Sequence, residues 1–289
     1  MGQTFQRVGS KDPRINTFDG KVDYRISQQL RSWSKTDAPP RRVRPAPVTL
    51  VTYILNAAYN PGRTRSAEDQ AYADMICLAF FFLLRPGEYT GTTNDDAAFR
   101  LSDVRLSLGT RLLSLEHSSV DELEAATSVS LYFTTQKNQR KGDAIAHARS
   151  SHRLCCPVRA AVRRILDHRT HRPYDPTTIL AAFYHHGHAC RIRADDVTKR
   201  LRHAAAACFF STGIPASEIS ARALRAGGAM ALKCAGVDPC NIQLVGRWHS
   251  EAMLQYLHQD CTPIQLRLAS RMYNNGTYSF ANTWVPDSD

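Results

Sequence analysis

The longest apolar run in the chain is MICLAFFFLL at residues 75–84, and it constrains the fold more than any other segment. A helix that crosses a bilayer needs about 20 apolar residues, so a run of this length predicts a buried helix and not a membrane span. Ser66 and the acidic residues after it are typical of a helix start, and Pro86 with Gly87 breaks the pattern. The sequence therefore predicts one central helix over 66–84.

The periodicity changes after this helix, and the change predicts the fold class. Val104, Leu106 and Leu108 alternate with polar residues, as expected of a strand, and 144–148 can pair back on 128–135 as a hairpin. We expect an α+β fold that is mostly helical, with a small antiparallel sheet. The expected strands are 101–109, 112–115, 128–135 and 144–148. The expected helices are 24–35, 48–59, 66–84, 156–169, 193–210, 222–235, 239–246, 251–258 and 262–273.

The net charge and the first 47 residues are compatible with binding to a polyanion such as nucleic acid. The 289 residues carry 37 Lys and Arg against 26 Asp and Glu, a net charge of +11. A basic enzyme with no nucleic-acid role has the same composition, so charge alone does not decide. Prolines prevent a long helix over 36–47, and we expect 1–47 to be a basic arm or linker ahead of one catalytic domain over 48–289. The arm residues expected along a phosphate backbone are Arg41, Arg42 and Arg44; the alternative is a solvated linker.

The remaining motifs argue against bound cofactors. The eight cysteines are scattered without a CxxC, which favours a reduced, intracellular protein. YHHGHAC at 184–190 has no second ligand cluster at zinc-site spacing, so we expect a polar loop and no metal. The chain has no GxxxxGK[ST] and no GxGxxG, so neither ATP nor a dinucleotide is indicated.

The C-terminal third contains the residues that suggest chemistry. RALRAGG places Arg225 ahead of LVGRWHS, which contains Trp248 and His249, and Tyr256 follows in QYLH. Breaking a DNA strand without metal needs a nucleophile, cations for the phosphate oxygens and a proton for the leaving oxygen. Arginine suits the cation role because its planar fork donates to two oxygens.

With LLRPGEY upstream, these motifs resemble the catalytic core of the tyrosine recombinases and integrases of mobile elements. The resemblance covers about 80–260 and implies a mostly helical fold of that type. It implies that Tyr256 attacks the scissile phosphate and forms a 3′-phosphotyrosyl link, and that Lys137 protonates the 5′-oxygen. The residues implied to contact the phosphate or to orient those that do are Arg85, Glu88, Arg222, Arg225, Trp248 and His249. Lys141 is a second hairpin lysine and a DNA-contact candidate.

Two positions depart from the family pattern. Arg222 stands where the family has a histidine, and arginine cannot accept a proton at neutral pH. Tyr256 lies eight residues after Trp248, where nine is usual, so the His/Trp position is ambiguous between Arg247 and Trp248. We prefer Trp248, because of its residue type and its distance from Arg225.

The resemblance also implies partners and a location. It implies double-stranded DNA as substrate, a tetramer on DNA and no cofactor, because the covalent link conserves the bond energy. TPIQLRLASRMY at 262–273 is the candidate segment for docking on a neighbouring subunit. The protein would be intracellular, in the nucleus of a eukaryote or otherwise in the cytoplasm or nucleoid, and without contact to a membrane. Two alternatives stay open: a catalytically silent DNA-binding protein of the same fold, and a helical protein-interaction module unrelated to DNA.

Overall fold

The computed structural model describes residues 12, 14–15, 20–36, 44–62, 66–90, 98–134, 143–248 and 261–277. The chain divides into two compact units, residues 1–42 and 43–289. In the first unit, helix α1 spans Tyr24–Thr36. The functional division at residue 47 stays a prediction. In the structure, residues 44–47 pack within the second unit, where the Ala46 N–H donates to the Ala223 carbonyl at 3.1 Å.

The second unit is mostly helical, as the sequence predicts. Its helices are α2 (Val48–Ala58), α3 (Ala67–Phe81), α4 (Pro86–Tyr89), α5 (Val120–Ala125), α6 (Pro157–His171), α7 (Ala194–Ala207), α8 (Phe209–Thr212), α9 (Ala223–Cys234), α10 (Pro239–Gly246) and α11 (Cys261–Asn275). Short 3-10 turns occupy Leu101–Asp103 and Ala216–Glu218. The helix expected over 251–258 lies outside the described residues.

The predicted antiparallel sheet is confirmed, and it has four strands in the order β2-β1-β3-β4. The strands are β1 (Val104–Leu108), β2 (Arg111–Leu113), β3 (Ser128–Phe133) and β4 (Asp143–Ala148). The register pairs Leu106 with Val129 and Val129 with His147, so the buried side chains of neighbouring strands share one face. The expected α+β fold class is therefore correct.

Helix α3 lies at the centre of the core, which confirms the reading of the apolar run. Residues 75–84 are all fully buried, between α2, α6 and α9. The helix ends at Phe81, however, and not at residue 84. Leu83 has a left-handed backbone (φ 52°), and the Leu84 N–H bonds back to the Ala79 carbonyl at 3.0 Å. Apolar composition could not show this end, because the last residues stay buried after the helix has stopped.

The short helices α4 and α8 were not expected as separate elements, and neither were α5 and a second hairpin. Helix α5 begins with a capping box between Ser119 and Glu122, and the sequence does contain this signal. The polar loop expected at 184–190 is instead a hairpin of β5 (Ala182–His185) and β6 (His188–Arg191). Left-handed backbones at residues 186 and 187 make the two-residue turn that favours such a hairpin.

Helix α11 packs on its own chain, against β4 and α9. Leu268, Ala269 and Met272 are fully buried there. The sequence predicts that this segment docks on a neighbouring subunit. These three side chains, however, are already buried within their own chain. Among the described helices, none is long and apolar enough to cross a membrane.

Because two histidines are buried, we expect the unfolding free energy to depend on pH. Burial lowers the pKa of His147 and of His168 to about 4 in the folded protein, from 6.5 in an unfolded chain. Their contribution to stability is complete above pH 6.5. It is lost as the pH falls towards 4, because only the unfolded state takes up the protons. We expect each to cost about 3 kcal/mol of unfolding free energy by pH 4, measured by urea denaturation at a series of pH values.

The His147 contribution can be isolated by substitution. Its ring packs edge-on against Phe82, with centroids 4.6 Å apart, so His147→Phe keeps an aromatic ring there. We expect this variant to lose about half of the acid destabilisation. His117→Gln, at an exposed histidine, should leave the profile unchanged. An unaltered profile for His147→Phe would contradict the assignment.

Candidate active site

The turn that ends α3 provides the floor of the candidate site. Because Leu83 is left-handed, its carbonyl points away from the helix and accepts a hydrogen bond from Arg225 Nη1 at 2.8 Å. A left-handed backbone at a leucine costs free energy, and such strain concentrates at functional sites. The turn thus links the predicted first arginine motif, LLRPGEY, to the second, RALRAGG.

Arg85 and Glu88 form the next part of the site at the start of α4. The Arg85 N–H donates to Glu88 Oε2 at 2.8 Å, and Arg85 Nη1 contacts Glu88 Oε1 at 3.1 Å. Pro86 at the first helical position favours this tight capping geometry. The Arg85 side chain is 35% exposed, but that of Glu88 is only 10% exposed. Glu88 therefore lies underneath and orients Arg85, whose guanidinium faces the solvent.

Arg225 is held from two sides in the first turn of α9. Its Nη2 donates to the Gly246 carbonyl, and its guanidinium carbon lies 4.5 Å from the centre of the Trp248 ring. With the bond to Leu83, two of its five N–H groups have acceptors among the described residues. Burial lowers the pKa of Arg225, and the neighbouring charges of Arg247 and Arg85 lower it further, to about 9. The side chain is therefore still a cation at pH 7.

The two glycines after Arg225 allow α9 to reach this position. A Cβ on Gly228 would overlap with the Phe80 carbonyl of α3 and lie 3.0 Å from the Leu83 side chain. A Cβ on Gly227 would overlap with the Ala46 carbonyl. Glycine is needed at both sites because backbone segments meet there without room for a side chain. In addition, the buried Tyr89 hydroxyl donates to the Ala221 carbonyl at 2.8 Å, which ties α4 to the start of α9.

The end of α10 places two neighbouring side chains in opposite environments. Arg247 is left-handed (φ 55°), and the Trp248 N–H bonds back to the Gln243 carbonyl at 3.0 Å. As a result, Arg247 turns into the core and Trp248 stays half-buried beside Arg225. A Cβ on Gly246 would overlap with the Trp248 ring, so the glycine is required for the indole to lie there. Of these two residues, Trp248 is therefore the one whose side chain lies beside Arg225; its contact with a phosphate stays a prediction.

Arg247 is the site residue whose burial and pairing the sequence did not predict. Its side chain is 3% exposed, and its Nη2 contacts Glu88 Oε2 at 2.9 Å. Its guanidinium carbon also lies 3.7 Å from the centre of the Phe133 ring, at the end of β3. The sequence gives one signal, an arginine directly before the Trp248 position, but no pattern shows which of the two side chains points inwards.

The electrostatic balance of the site is positive. Among the described residues, the guanidinium groups of Arg85 and Arg247 contact one carboxylate, that of Glu88, and Arg225 lies near enough for the charges of both arginines to lower its pKa. Charges removed from water are costly unless they are paired. The excess of positive charge therefore favours an anion at the exposed face of Arg85 and Arg225, where arginine forks suit phosphate oxygens.

Some expected site residues are placed elsewhere or are not described. Arg222 is exposed at the N-cap of α9, one turn before Arg225, without a side-chain bond to another described residue. Arg44 Nε contacts Glu218 Oε2 at 2.5 Å, so it is engaged within the second unit. The expected residues that lie outside the described residues are Arg41, Arg42, Lys137, Lys141, His249 and Tyr256. In the described part of the chain, no group of three or more His, Cys, Asp or Glu could hold a metal ion.

Comparisons with known proteins add little to this geometry. No family model matches the chain, and no curated protein sequence does. Among solved structures, the chain is similar to an integrase from mycobacterium phage Brujita, at 16% identity and a TM-score of 0.41. The match covers 97% of this chain and 70% of that one. A likeness this distant supports no inference about activity.

Proposed function

We propose that this protein is a site-specific DNA recombinase or integrase that cleaves and rejoins DNA through a 3′-phosphotyrosyl intermediate. The observation that supports it most is the half-buried arginine cluster. Arg85 and Arg247 share the Glu88 carboxylate, and Arg225 lies near both with no carboxylate bond among the described residues, so the face formed by Arg85 and Arg225 carries an excess of positive charge. A phosphodiester supplies the negative charge that this face lacks, and the charge grows in the transition state.

The proposed reaction assigns a role to each group. The Tyr256 oxygen attacks the scissile phosphorus, a new P–O bond forms, and the bond to the 5′-oxygen breaks. Arg85, Arg225 and Arg222 stabilise the five-coordinate phosphorane, and the Trp248 indole N–H donates to a phosphate oxygen. Lys137 gives its proton to the 5′-oxygen. Since Arg222 cannot accept the phenol proton, His249 is the candidate base. The reverse step, with a new 5′-hydroxyl as nucleophile, rejoins the strand.

Chain connectivity is compatible with the role of Lys137. Phe133 ends β3 in contact with Arg247, and Lys137 follows four residues later. The described end of β3 thus lies beside the arginine cluster, which supports the role proposed for Lys137.

The proposal includes the partners and the location expected from the sequence. The substrate is double-stranded DNA, and the protein acts inside the cell as a tetramer on two duplexes. Because part of α11 is buried on its own chain, residues beyond it are better candidates for contacts between subunits. The basic segment with Arg41, Arg42 and Arg44, together with Lys141, is proposed to contact the DNA backbone.

A covalent adduct tests the catalytic proposal. The protein is incubated with a pool of nicked suicide duplexes whose sequence around the nick is randomised. The products are then separated on a denaturing gel. We expect a protein–DNA adduct from the wild type and none from Tyr256→Phe, since phenylalanine has no nucleophilic oxygen. Tyr273→Phe is the matched control, because Tyr273 lies on α11 against His152, and it should leave the adduct unchanged. An adduct that survives Tyr256→Phe would defeat the assignment.

A salt series separates the two alternatives. A silent DNA-binding protein would form no adduct, yet its affinity in a gel shift would fall steeply as salt rises, because phosphate contacts release counterions. A protein-interaction module unrelated to DNA would show no salt-dependent shift. The positive excess around Arg85 and Arg225 favours DNA binding over the second alternative.

A further inference from the structure

Arg247 has no role in the reaction above, and it is the most deeply buried arginine of the site. Its side chain is 3% exposed. Arginine is almost never buried to this degree unless it is paired, and a buried pair is often no more stabilising than apolar residues of the same size. Its position under the candidate site therefore requires an explanation other than stability.

We propose that Arg247 is a positioning residue, which fixes Arg85 and Arg225 relative to each other through the oxygens that it shares with them. For its effect on DNA cleavage the inference rests on the proposed function. For the placement of the two arginines it stands on the geometry alone.

The first shared acceptor is the Glu88 carboxylate. Oε1 accepts from Arg85 Nη1 at 3.1 Å, and Oε2 accepts from Arg247 Nη2 at 2.9 Å. The same Oε2 also accepts from the Arg85 backbone N–H at 2.8 Å. Without Arg247, both oxygens of Glu88 would be held by Arg85 alone, and no bond would connect the carboxylate to the end of α10. Arg247 thus holds the carboxylate in the orientation that directs Arg85 outwards.

The second shared acceptor is the carbonyl of the left-handed Leu83. It accepts from Arg225 Nη1 at 2.8 Å and from Arg247 Nη2 at 3.4 Å. Arg247 also donates to the neighbouring Phe82 carbonyl at 3.1 Å. Its own backbone connects Gly246, whose carbonyl accepts from Arg225, to Trp248, whose ring covers Arg225. One residue therefore contacts both sides of the pocket that holds Arg225.

Position 247 requires the planar guanidinium group of arginine, with its two Nη nitrogens. Its Nη groups reach oxygens on two separate segments, the α3 turn and Glu88. Its flat face lies on the Phe133 ring. A lysine could keep the charge and the stem, but it has one nitrogen and no planar face, so it cannot serve both segments.

The test measures placement separately from activity. Trp33→Phe and Trp284→Phe leave Trp248 as the one tryptophan, and its emission then reports on the guanidinium of Arg225. In this background, Arg225→Lys gives the emission of an indole without its guanidinium partner. We expect Arg247→Lys to move the emission in the same direction, and to lower the rate of adduct formation about 100-fold, as a misplacement of about 1 Å can.

Arg164→Lys is the matched control. Arg164 is equally buried, at 2% side-chain exposure, and bonds to Asp167 and to the Leu180 and Ala182 carbonyls. We expect it to lower stability as Arg247→Lys does, but to leave Trp248 emission and adduct formation as in the wild type. Glu88→Gln, which keeps the volume and removes the charge of the shared carboxylate, should change adduct formation in the direction of Arg247→Lys.

Several outcomes would overturn the inference. It fails if Arg247→Lys retains both wild-type emission and wild-type cleavage. It also fails if both Arg247→Lys and Glu88→Gln lose their cooperative unfolding transition, because the pair is then a requirement for folding. If the wild type forms no adduct, the proposed function fails on its own. The emission of Trp248 in Arg247→Lys still decides whether Arg247 places Arg225.

Discussion

We expect Arg225→Met to lower the rate of DNA strand cleavage about 1,000-fold while the protein stays folded, as loss of one preorganised donor to a transition state does. Arg225 is fixed by the Leu83 and Gly246 carbonyls and covered by Trp248, so its remaining N–H groups are already aimed before the substrate arrives. The measurement is the single-turnover rate of adduct formation on suicide DNA, with the urea midpoint as a check on folding.

A control on the same helix separates position from charge. Lys233 is exposed at the last turn of α9, and Lys233→Met removes one positive charge there, as Arg225→Met does. We expect the control to change the rate by less than about twofold at moderate salt, because exposed charges are screened. Arg225→Lys should keep most of the DNA affinity but not the rate, since the fork is lost. A rate for Arg225→Met within tenfold of the wild type would exclude Arg225 from the clamp.

The second large effect concerns stability. We expect Gly228→Ala to lower the unfolding free energy by about 3 kcal/mol, in the upper range for an overpacked site. The new methyl group would overlap with the Phe80 carbonyl, and α9 cannot move away without separating Arg225 from Leu83. The variant should therefore also cleave more slowly than the wild type. Urea denaturation, with slope and midpoint fitted separately, measures the loss.

Gly87→Ala is the comparison for Gly228→Ala. Gly87 lies in α4, where a Cβ would meet nothing within 4 Å and the backbone has no left-handed angle. Alanine there should be neutral or slightly stabilising, because it restricts the unfolded chain. Equal urea midpoints for the two variants would show that α9 does not depend on a glycine contact with α3.

The sequence predicted the elements whose signals are local. The buried helix α3 followed from a continuous apolar run, and the hairpin of β3 and β4 followed from the alternation of apolar and polar residues; both signals depend on residues a few positions apart. The end of α3 was placed three residues too late, because burial continues past the left-handed Leu83. The hairpin at 182–191 was missed because its exposed histidines gave no alternation of apolar and polar residues.

For the candidate site, residue types were predictable and orientations were not. The order of Arg85, Arg225 and Trp248 along the chain suggested a phosphate clamp, and the structure brings these three together. The choice between Arg247 and Trp248 could not be made from spacing, which favoured each by a different count. The structure shows the two orientations: the left-handed backbone at Arg247 turns that side chain inwards and leaves Trp248 beside Arg225.

The sequence by itself determined an α+β chain with a central helix built on one long apolar run and a row of cations in a fixed order, because periodicity and residue chemistry are properties of short segments. The tertiary structure alone decided that Glu88 and Arg247, 159 residues apart, form a buried pair beside the half-buried Arg85 and Arg225. The physical reason is that a buried guanidinium must find its acceptors wherever the fold supplies them. Here the fold supplies them at the end of α3, a segment that no local pattern connects to Arg247.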